Sequence, residues 1–204
     1  MYIPRYFINE DLSAVKDFID ANGFAILINQ VEGRPWATHL PLELDKNREG
    51  KDVLTGHLSK ANNQWKEFIN NKEVLAIFSG PHAYISSSWY DHENVPTWNY
   101  LTVHVYGTIH IIEGDELKSH LRKLVDKHEK GMKNPVSVEK MSVDFLEMEI
   151  KGIVGFEIEI TEIQAASKLS QNRDSKNYDR IIDELNRQGD INSREIARIM
   201  KNRK

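Results

Sequence analysis

The sequence LTVHVYGTIHII, residues 101–112, decides the fold class. Apolar and polar side chains alternate along it, which is the pattern of a β-strand with one face on a core. The apolar face comprises Leu101, Val103, Val105, Ile109 and Ile111, and the polar face comprises Thr102, His104, Tyr106, Thr108 and His110. The pattern predicts a long, half-buried strand whose polar face meets solvent, a ligand or another subunit.

Six further strands are predicted around this one, at FAILINQV (24–31), WATHLPLEL (36–44), VLTGHL (53–58), VLAIFSG (74–80), AYISSSWY (83–90) and GIVGFEIEITEI (152–163). Helices are predicted at 8–23, 61–71, 115–128 and 175–187, and a last helix should begin with a capping box formed by Asn192 and Glu195. Most strands are joined by turns and do not alternate with helices. This arrangement favours an α+β fold, a small antiparallel barrel with peripheral helices and a helical C-terminal tail, over a doubly wound sheet.

The chain of 204 residues is long enough for one well-buried domain. We expect a barrel domain at 1–166 and, at 167–204, a polar linker with a two-helix tail packed on the same domain or on a dimer partner. Residues 168–204 carry ten Lys/Arg against six Asp/Glu, whereas the whole chain has a net charge of −4. The overall charge argues against broad nucleic-acid binding.

Several classes of chemistry are excluded by missing residues or motifs. The chain has no cysteine, so it has no disulfide, thiol nucleophile or cysteine metal site. It lacks the glycine-rich dinucleotide and triphosphate loops, the HExxH zinc motif and the GxSxG nucleophile motif. The N-terminal MYIPRYFINEDLS has no signal-peptide pattern, and no apolar run approaches a membrane span, so we expect a cytoplasmic protein without a membrane partner.

The segment GHLSKANNQW, residues 56–65, contains a predicted strand-to-helix junction. Unpaired N–H groups at a helix start attract anions, and Ser59 and Lys60 would add a hydroxyl and a cation, as in a phosphate site. In the simpler alternative, Ser59 or Asn62 caps the helix and Lys60 faces water. The segment by itself leaves both readings open.

Aromatic side chains are concentrated in residues 81–107, which hold two of the four Trp and four of the seven Tyr. Trp and Tyr rings with polar edges suit a surface that is half buried and half hydrated. This stretch therefore predicts either the floor of a ligand pocket or a subunit interface.

Five segments, taken in order, resemble the PaiB family of FMN-binding proteins, described as negative transcriptional regulators of protease synthesis and sporulation in bacilli. They are ATHLP (37–41), GHLSKANNQW (56–65), SGPHAYISSSWY (79–90), VPTWNYLTVHVYG (95–107) and KLSQNR (168–173), and the resemblance spans essentially the whole chain. It implies an FMN-binding split β-barrel, as in pyridoxamine-phosphate oxidases and flavin reductases. It also implies a homodimer with the flavin at the subunit interface.

The resemblance also implies a set of flavin contacts. The phosphate would be held by His57, Ser59, Lys60 and Asn62, and the polar edge of the ring by the backbone of Thr38, His39 and Leu40. Trp89 or Trp98 would cover a face of the ring, Thr97 and Asn99 would meet its rim, and Lys168, Gln171 and Asn172 would reach the site from the same or the partner subunit. Two departures affect substrate access: Ser87 replaces a family proline, and the loop DHEN at 91–94 is short.

The sequence is consistent with three functions. The first is an FMN-binding homodimer in which the flavin carries out any oxidoreductase chemistry. FMN is favoured over FAD because the chain has a single-phosphate cradle and no pyrophosphate loop. Candidate acid or base residues are given only by residue type: His39, Tyr100 and His104. The second function is a DNA-binding regulator that uses the basic tail, where Arg194, Arg198 and Lys201 share a face. The third is a haem-binding barrel with His39, His57 or His104 as axial ligand.

Overall fold

The computed structural model describes residues 1–203, which form seven strands and five α-helices. The strands are β1 (Phe24–Val31), β2 (Arg34–Pro41), β3 (Glu43–Lys46), β4 (Asp52–Ser59), β5 (Glu73–Ile85), β6 (Thr97–Ile112) and β7 (Ile153–Lys168). The helices are α1 (Leu12–Ala21), α2 (Gly114–Glu129), α3 (Val143–Ile150), α4 (Ser175–Gln188) and α5 (Ile191–Asn202). Short 3-10 helices occupy Arg5–Phe7, Asn63–Phe68, Ser87–Trp89 and Val138–Lys140.

The strands form one sheet in the order β2-β1-β5-β6-β7-β4-β3. Strand β1 pairs antiparallel with β2 and β5, and β4 pairs antiparallel with β3 and β7. Glu32 and Gly33 join β1 to β2 with φ angles of 51° and 75°. Positive φ at both central residues is the geometry of a tight hairpin turn.

Two of the predicted strand boundaries are wrong. The segment 36–44 is not one strand, because β2 ends at Pro41 and the chain then pairs with β4 from Glu43 onward. The segments 74–80 and 83–90, predicted as two strands, are mostly one: β5 continues through Gly80 and Pro81 to Ile85, and a 3-10 helix follows. Gly80 leaves room for Phe18, whose ring lies 2.5 Å from where a Cβ would be, and does not end the strand.

The alternation predicted for β6 is present from Val103 to Ile109 but fails at the end of the strand. Ile111, assigned to the buried face, is 36% exposed, and Ile112 is buried instead. Ile112 packs beside Gly155 of β7, where a Cβ would lie 3.2 Å from its Cγ1. Gly107 interrupts the apolar series because its Cβ would lie 2.5 Å from the backbone oxygen of Glu159.

The chain divides into two compact units, each with its own buried side chains. The central unit comprises Ile19–Ile77 and Val105–Ile163. Its buried residues include Phe68 and Phe156, whose rings meet edge to face at 5.6 Å. The terminal unit comprises Met1–Phe18, Phe78–His104 and 164–203.

The core of the terminal unit is built largely by the last two helices. Its members are Ala83, Ile85, Tyr90, Leu169, Tyr178, Ile181, Ile182, Leu185, Ile196, Ala197 and Met200. The hydroxyl of Tyr178 donates to the backbone oxygen of Met200 at 2.9 Å. The predicted capping box is wrong, because α5 begins two residues earlier and Asp190 caps it by accepting from the N–H of Ser193.

Within residues 1–203, no helix combines the length and the apolar character that crossing a membrane requires.

Candidate functional site

The loop after β4 holds the backbone of Lys60 in place and leaves its side chain free. The N–H of Lys60 donates to the oxygen of Gly152 at 2.8 Å, and its own carbonyl accepts from the indole N–H of Trp65 at 2.9 Å. The ammonium group has no hydrogen-bond or ion-pair partner among residues 1–203, and the residue is exposed. A rigid backbone that carries an unpaired cation fits an anionic ligand such as the phosphate of FMN.

A buried polar network supports this loop from the side. Gln64 is fully buried; its Oε1 accepts from the hydroxyl of Thr38 and its Nε2 donates to the oxygen of Leu27 at 3.1 Å. The amide of Asn62 donates to Thr38 at 2.8 Å. The network links the loop to β1 and β2. Thr38 and Asn62, which were both predicted to contact the flavin, therefore lie together, and their side chains form hydrogen bonds within the protein.

The predicted helix at 61–71 is wrong: the segment forms a 3-10 helix of six residues, Asn63–Phe68. Asn62 caps it by accepting from the N–H of Gln64 at 3.1 Å, and Ser59 Oγ accepts from the N–H of Ala61 at 3.3 Å. So short a helix has little dipole to offer an anion. Between Ser59 and Ala61, the side-chain donors that remain for a phosphate are the Lys60 ammonium and the hydroxyl hydrogen of Ser59.

His57 is part of a chain of side chains between β4 and α2. Its Nδ1 lies 3.1 Å from Nε2 of His120, whose Nδ1 lies 3.1 Å from the hydroxyl of Thr55. Burial lowers the pKa of His57, and burial together with the charge of His57 lowers the pKa of His120 to about 4. The two rings are therefore neutral at pH 7, and only Nε2 of His57 remains free for a ligand.

The other predicted contacts in the central unit lie on β2. His39 is exposed and its ring lies 6.3 Å from that of Phe24, whereas Leu40 is buried. Both residues are paired with β1, opposite Ile26 and Ala25 respectively.

In the terminal unit, Trp98 is the centre of an open aromatic surface formed by His82, Tyr84 and Trp98. The Trp98 ring is 52% exposed and lies 5.8 Å from that of Tyr84 and 6.0 Å from that of His82. Tyr84 is 49% exposed. Trp89 is half buried and packs against the core of this unit. Of the two predicted ring-covering residues, Trp98 offers the more open face.

Other predicted contacts of the terminal unit bond to one another. Lys168 Nζ donates to the hydroxyl of Thr97 at 2.5 Å, and the amide oxygen of the fully buried Asn99 accepts from Ser170 at 3.0 Å. Both ends of the Gln171 amide bond to backbone groups, and Asn172 is exposed.

The remaining candidates and departures also lie in this unit. His104 is half buried and its Nδ1 is without a partner among residues 1–203, while Tyr100 is half buried on β6. Ser87 begins the 3-10 helix Ser87–Trp89. The short loop at 91–94 is held by Asp91, which accepts from Lys176 at 2.7 Å and from Asn177 at 2.9 Å.

Three residues of these networks escaped the sequence interpretation. Gln64, His120 and Asn177 are each buried and each bonds across the chain, for example over 63 positions between His57 and His120. The sequence signal for such a residue is a polar side chain at a position where the pattern predicts burial. Its hydrogen-bond partner could not be predicted, because the partner lies far away in the sequence. Among residues 1–203, no cluster of three or more His, Asp or Glu side chains could hold a metal ion.

Comparison with known proteins identifies the family of this chain. The family model described as "Putative FMN-binding domain" matches residues 1–162. The Bacillus subtilis protein "Protease synthase and sporulation protein PAI 2" is 44% identical over 203 residues, covering 100% of this chain and 98% of that relative. These matches confirm the PaiB resemblance and support FMN as the cofactor.

Solved structures of low sequence identity share the fold. The flavocytochrome Anf3 from Azotobacter vinelandii has a TM-score of 0.59 at 20% identity, covering 87% of this chain and 78% of that one. The FAD and heme binding protein from Mycobacterium smegmatis has a TM-score of 0.57 at 14% identity, covering 78% and 72%. The predicted antiparallel split-barrel fold is confirmed.

Proposed function

We propose that this chain, which belongs to this FMN-binding domain family, holds the phosphate of FMN with the ammonium of Lys60 and the hydroxyl of Ser59. The observation that carries the proposal is the contrast at Lys60 between a backbone bonded on both sides and a free cation. Bound FMN supplies one- and two-electron redox chemistry. The chain's own residues position the cofactor, and Gln64 keeps the loop in place through Thr38.

Lys60→Ala tests the phosphate assignment. Loss of a charge-assisted hydrogen bond costs about 1.5–3 kcal/mol, which weakens FMN binding roughly 10- to 150-fold. Riboflavin has no phosphate, so its affinity should hardly change. The measurement is a fluorescence titration of both flavins against wild type and variant.

Lys66→Ala is the matched control, because Lys66 is an exposed lysine of the adjacent 3-10 helix. It should leave both affinities unchanged. An equal loss of FMN and riboflavin in Lys60→Ala would mean that Lys60 supports the loop and does not bind the phosphate. If Lys60→Ala lowers the affinity for neither flavin, Lys60 is an ordinary surface lysine that does not contact the cofactor.

The homodimer is a separate part of the proposal. Trp98 and Tyr84 expose about half of their surface each, and aromatic side chains are enriched where subunits meet. A second copy of this chain is the occupant we propose for the aromatic surface of His82, Tyr84 and Trp98.

A regulatory role is proposed through the flavin and not through contact with DNA. The B. subtilis relative is named for protease synthesis and sporulation, and we extend a role of that kind to this chain. Two exposed cations of the tail pair with neighbouring acids: Arg187 with Glu184 at 2.6 Å and Arg198 with Glu195 at 2.5 Å. Gel shifts on duplex DNA should show no retardation at physiological salt, and a salt-dependent complex would contradict this part of the proposal.

A further inference from the structure

One face of β4 extends from helix α2 to the loop that carries Lys60. Because alternate side chains of a strand lie on the same face, Thr55, His57 and Ser59 share it. Thr55 is buried, His57 is half buried, and Ser59 is exposed next to Lys60 in the chain. At the rise of a β-strand, the Cα atoms of His57 and Ser59 are about 6.5 Å apart. The imidazole of His57 is therefore on the same face as the hydroxyl of the proposed phosphate site.

The packing of α2 brings a second imidazole to this face. Gly155 of β7 pairs with His57, and a Cβ at Gly155 would lie 2.5 Å from Cδ1 of Leu117 in α2. The helix approaches the sheet this closely because that position has no side chain. His120 lies one helical turn after Leu117, and both residues are buried. A cavity of about 310 Å³ beside this contact is lined by Leu117, Gly155 and Lys60, which places the contact next to the proposed phosphate site.

The two imidazoles and the hydroxyl of Thr55 form a chain of two hydrogen bonds. Nδ1 of His57 lies 3.1 Å from Nε2 of His120, and Nδ1 of His120 lies 3.1 Å from the hydroxyl oxygen of Thr55. Burial lowers the pKa of both imidazoles, so each ring carries a single hydrogen at pH 7. Each of the two gaps holds one hydrogen, and therefore only two arrangements of hydrogens satisfy both gaps.

The two arrangements differ in what His57 presents to a ligand. In the first, Thr55 donates to Nδ1 of His120, Nε2 of His120 donates to Nδ1 of His57, and the hydrogen of His57 is on its own Nε2. In the second, every donor is reversed, and Nε2 of His57 can only accept. The hydroxyl hydrogen of Thr55 then has no acceptor among residues 1–203, where His120 is its only partner. Thr55 is 6% exposed, and a buried donor without an acceptor is destabilising, so the first arrangement is favoured.

We propose that Thr55 and His120 are positioning residues that hold His57 with its hydrogen on Nε2, so that a neutral imidazole donates a hydrogen bond to the phosphate of FMN. This inference rests on the proposed function and deepens it, because it adds a third donor to Ser59 and Lys60. An Nε2 without a hydrogen would present a lone pair to the phosphate oxygens and repel them. Thr55 and His120 act only through the hydrogen on His57 and do not touch the cofactor.

NMR of the histidine ring nitrogens tests the positions of the hydrogens directly. In the purified chain, near neutral pH and without flavin, long-range couplings between ring hydrogens and nitrogens should show Nε2–H in both His57 and His120. Thr55→Val keeps the shape of the side chain but removes the donor, so both rings should lose this uniform pattern. Thr108→Val is the matched control, because Thr108 is a half-buried threonine of β6 without a side-chain hydrogen bond among residues 1–203. It should keep the wild-type pattern, and a hydrogen on Nδ1 of either ring in the wild type would overturn the proposal.

Fluorescence titration with FMN and riboflavin tests the effect on the cofactor. Thr55→Val should weaken FMN binding roughly 2- to 10-fold, the worth of one neutral hydrogen bond, and leave riboflavin unchanged. His120→Leu should have the same effect. His120→Gln should retain most of the FMN affinity, because its amide N–H can donate to Nδ1 of His57 in place of the imidazole. Thr108→Val should change neither affinity.

An equal loss of FMN and riboflavin in Thr55→Val, or no loss of either, would overturn the positioning role. The outcome for Lys60 is separate. If Lys60→Ala leaves FMN binding unchanged while Thr55→Val weakens FMN alone, the Lys60 assignment fails and the positioning role stands. If Lys60→Ala weakens FMN alone while Thr55→Val does not, the positioning role fails and the proposed function stands.

Discussion

Acidification should destabilise the fold through one buried side chain, His120. This residue is 3% exposed, and its pKa falls from 6.5 to about 4 because of burial and the charge of His57. The other groups that act on it are Asp45, which raises its pKa, and Lys123, which lowers it; Thr55 accepts or donates at Nδ1.

The sign follows from proton binding. Above pH 6.5 His120 is neutral in both the folded and the unfolded chain, so its burial has no pH-dependent cost. As the pH falls from 6.5 toward 4 the unfolded chain takes up a proton that the folded chain resists, and stability is lost. A depression of this size corresponds to about 3 kcal/mol at about 1.4 kcal/mol per pH unit.

The assay is urea unfolding at a series of pH values between 7 and 4, on wild type and His120→Gln. The variant is less stable at neutral pH, but the wild type should lose about 3 kcal/mol more than the variant as the pH falls. His110→Gln removes an exposed histidine and should follow the wild-type curve. Parallel curves for wild type and His120→Gln would refute the reasoning.

Two further predictions concern the terminal unit. Asp190→Ala should lower the free energy of unfolding in urea by about 1 kcal/mol, because it removes the cap of α5. Asn192→Ala should lower it by less than about 0.5 kcal/mol. A larger loss for Asn192→Ala than for Asp190→Ala would instead support the capping box predicted from the sequence. Light scattering should show a homodimer at micromolar concentration that Trp98→Ser weakens and Trp36→Ser, which removes another exposed Trp, does not; a wild-type monomer would contradict the proposed interface.

Local patterns in the sequence predicted most of the fold. The alternation in β6 is a local property of the strand, and the helices α2 and α4 were placed within one residue of their observed ends. Prolines were less informative: Pro41 ends a strand, but Pro81 lies inside one. The difference depends on which neighbouring strand needs the missing N–H, and that is a property of the sheet.

The candidate site was predictable only in outline. The segment 56–65 was recognisable because Ser59, Lys60 and Asn62 lie at the end of a strand, and the structure gives Lys60 and Asn62 different surroundings. Asn62 caps the 3-10 helix while Lys60 stays unpaired. The dependence on Gln64 and on the His57–His120 pair was hidden, because those contacts join segments far apart in the chain.

Equilibrium dialysis of the purified chain against FMN, FAD and riboflavin tests the central claim most directly. An account in which one phosphate is held by Lys60 predicts that FMN binds most tightly, with riboflavin weaker by roughly 10- to 150-fold for want of the phosphate contact. FAD should also bind more weakly than FMN, because the chain has no loop for a pyrophosphate. Equal affinity for the three flavins, or no binding of FMN, would contradict the account.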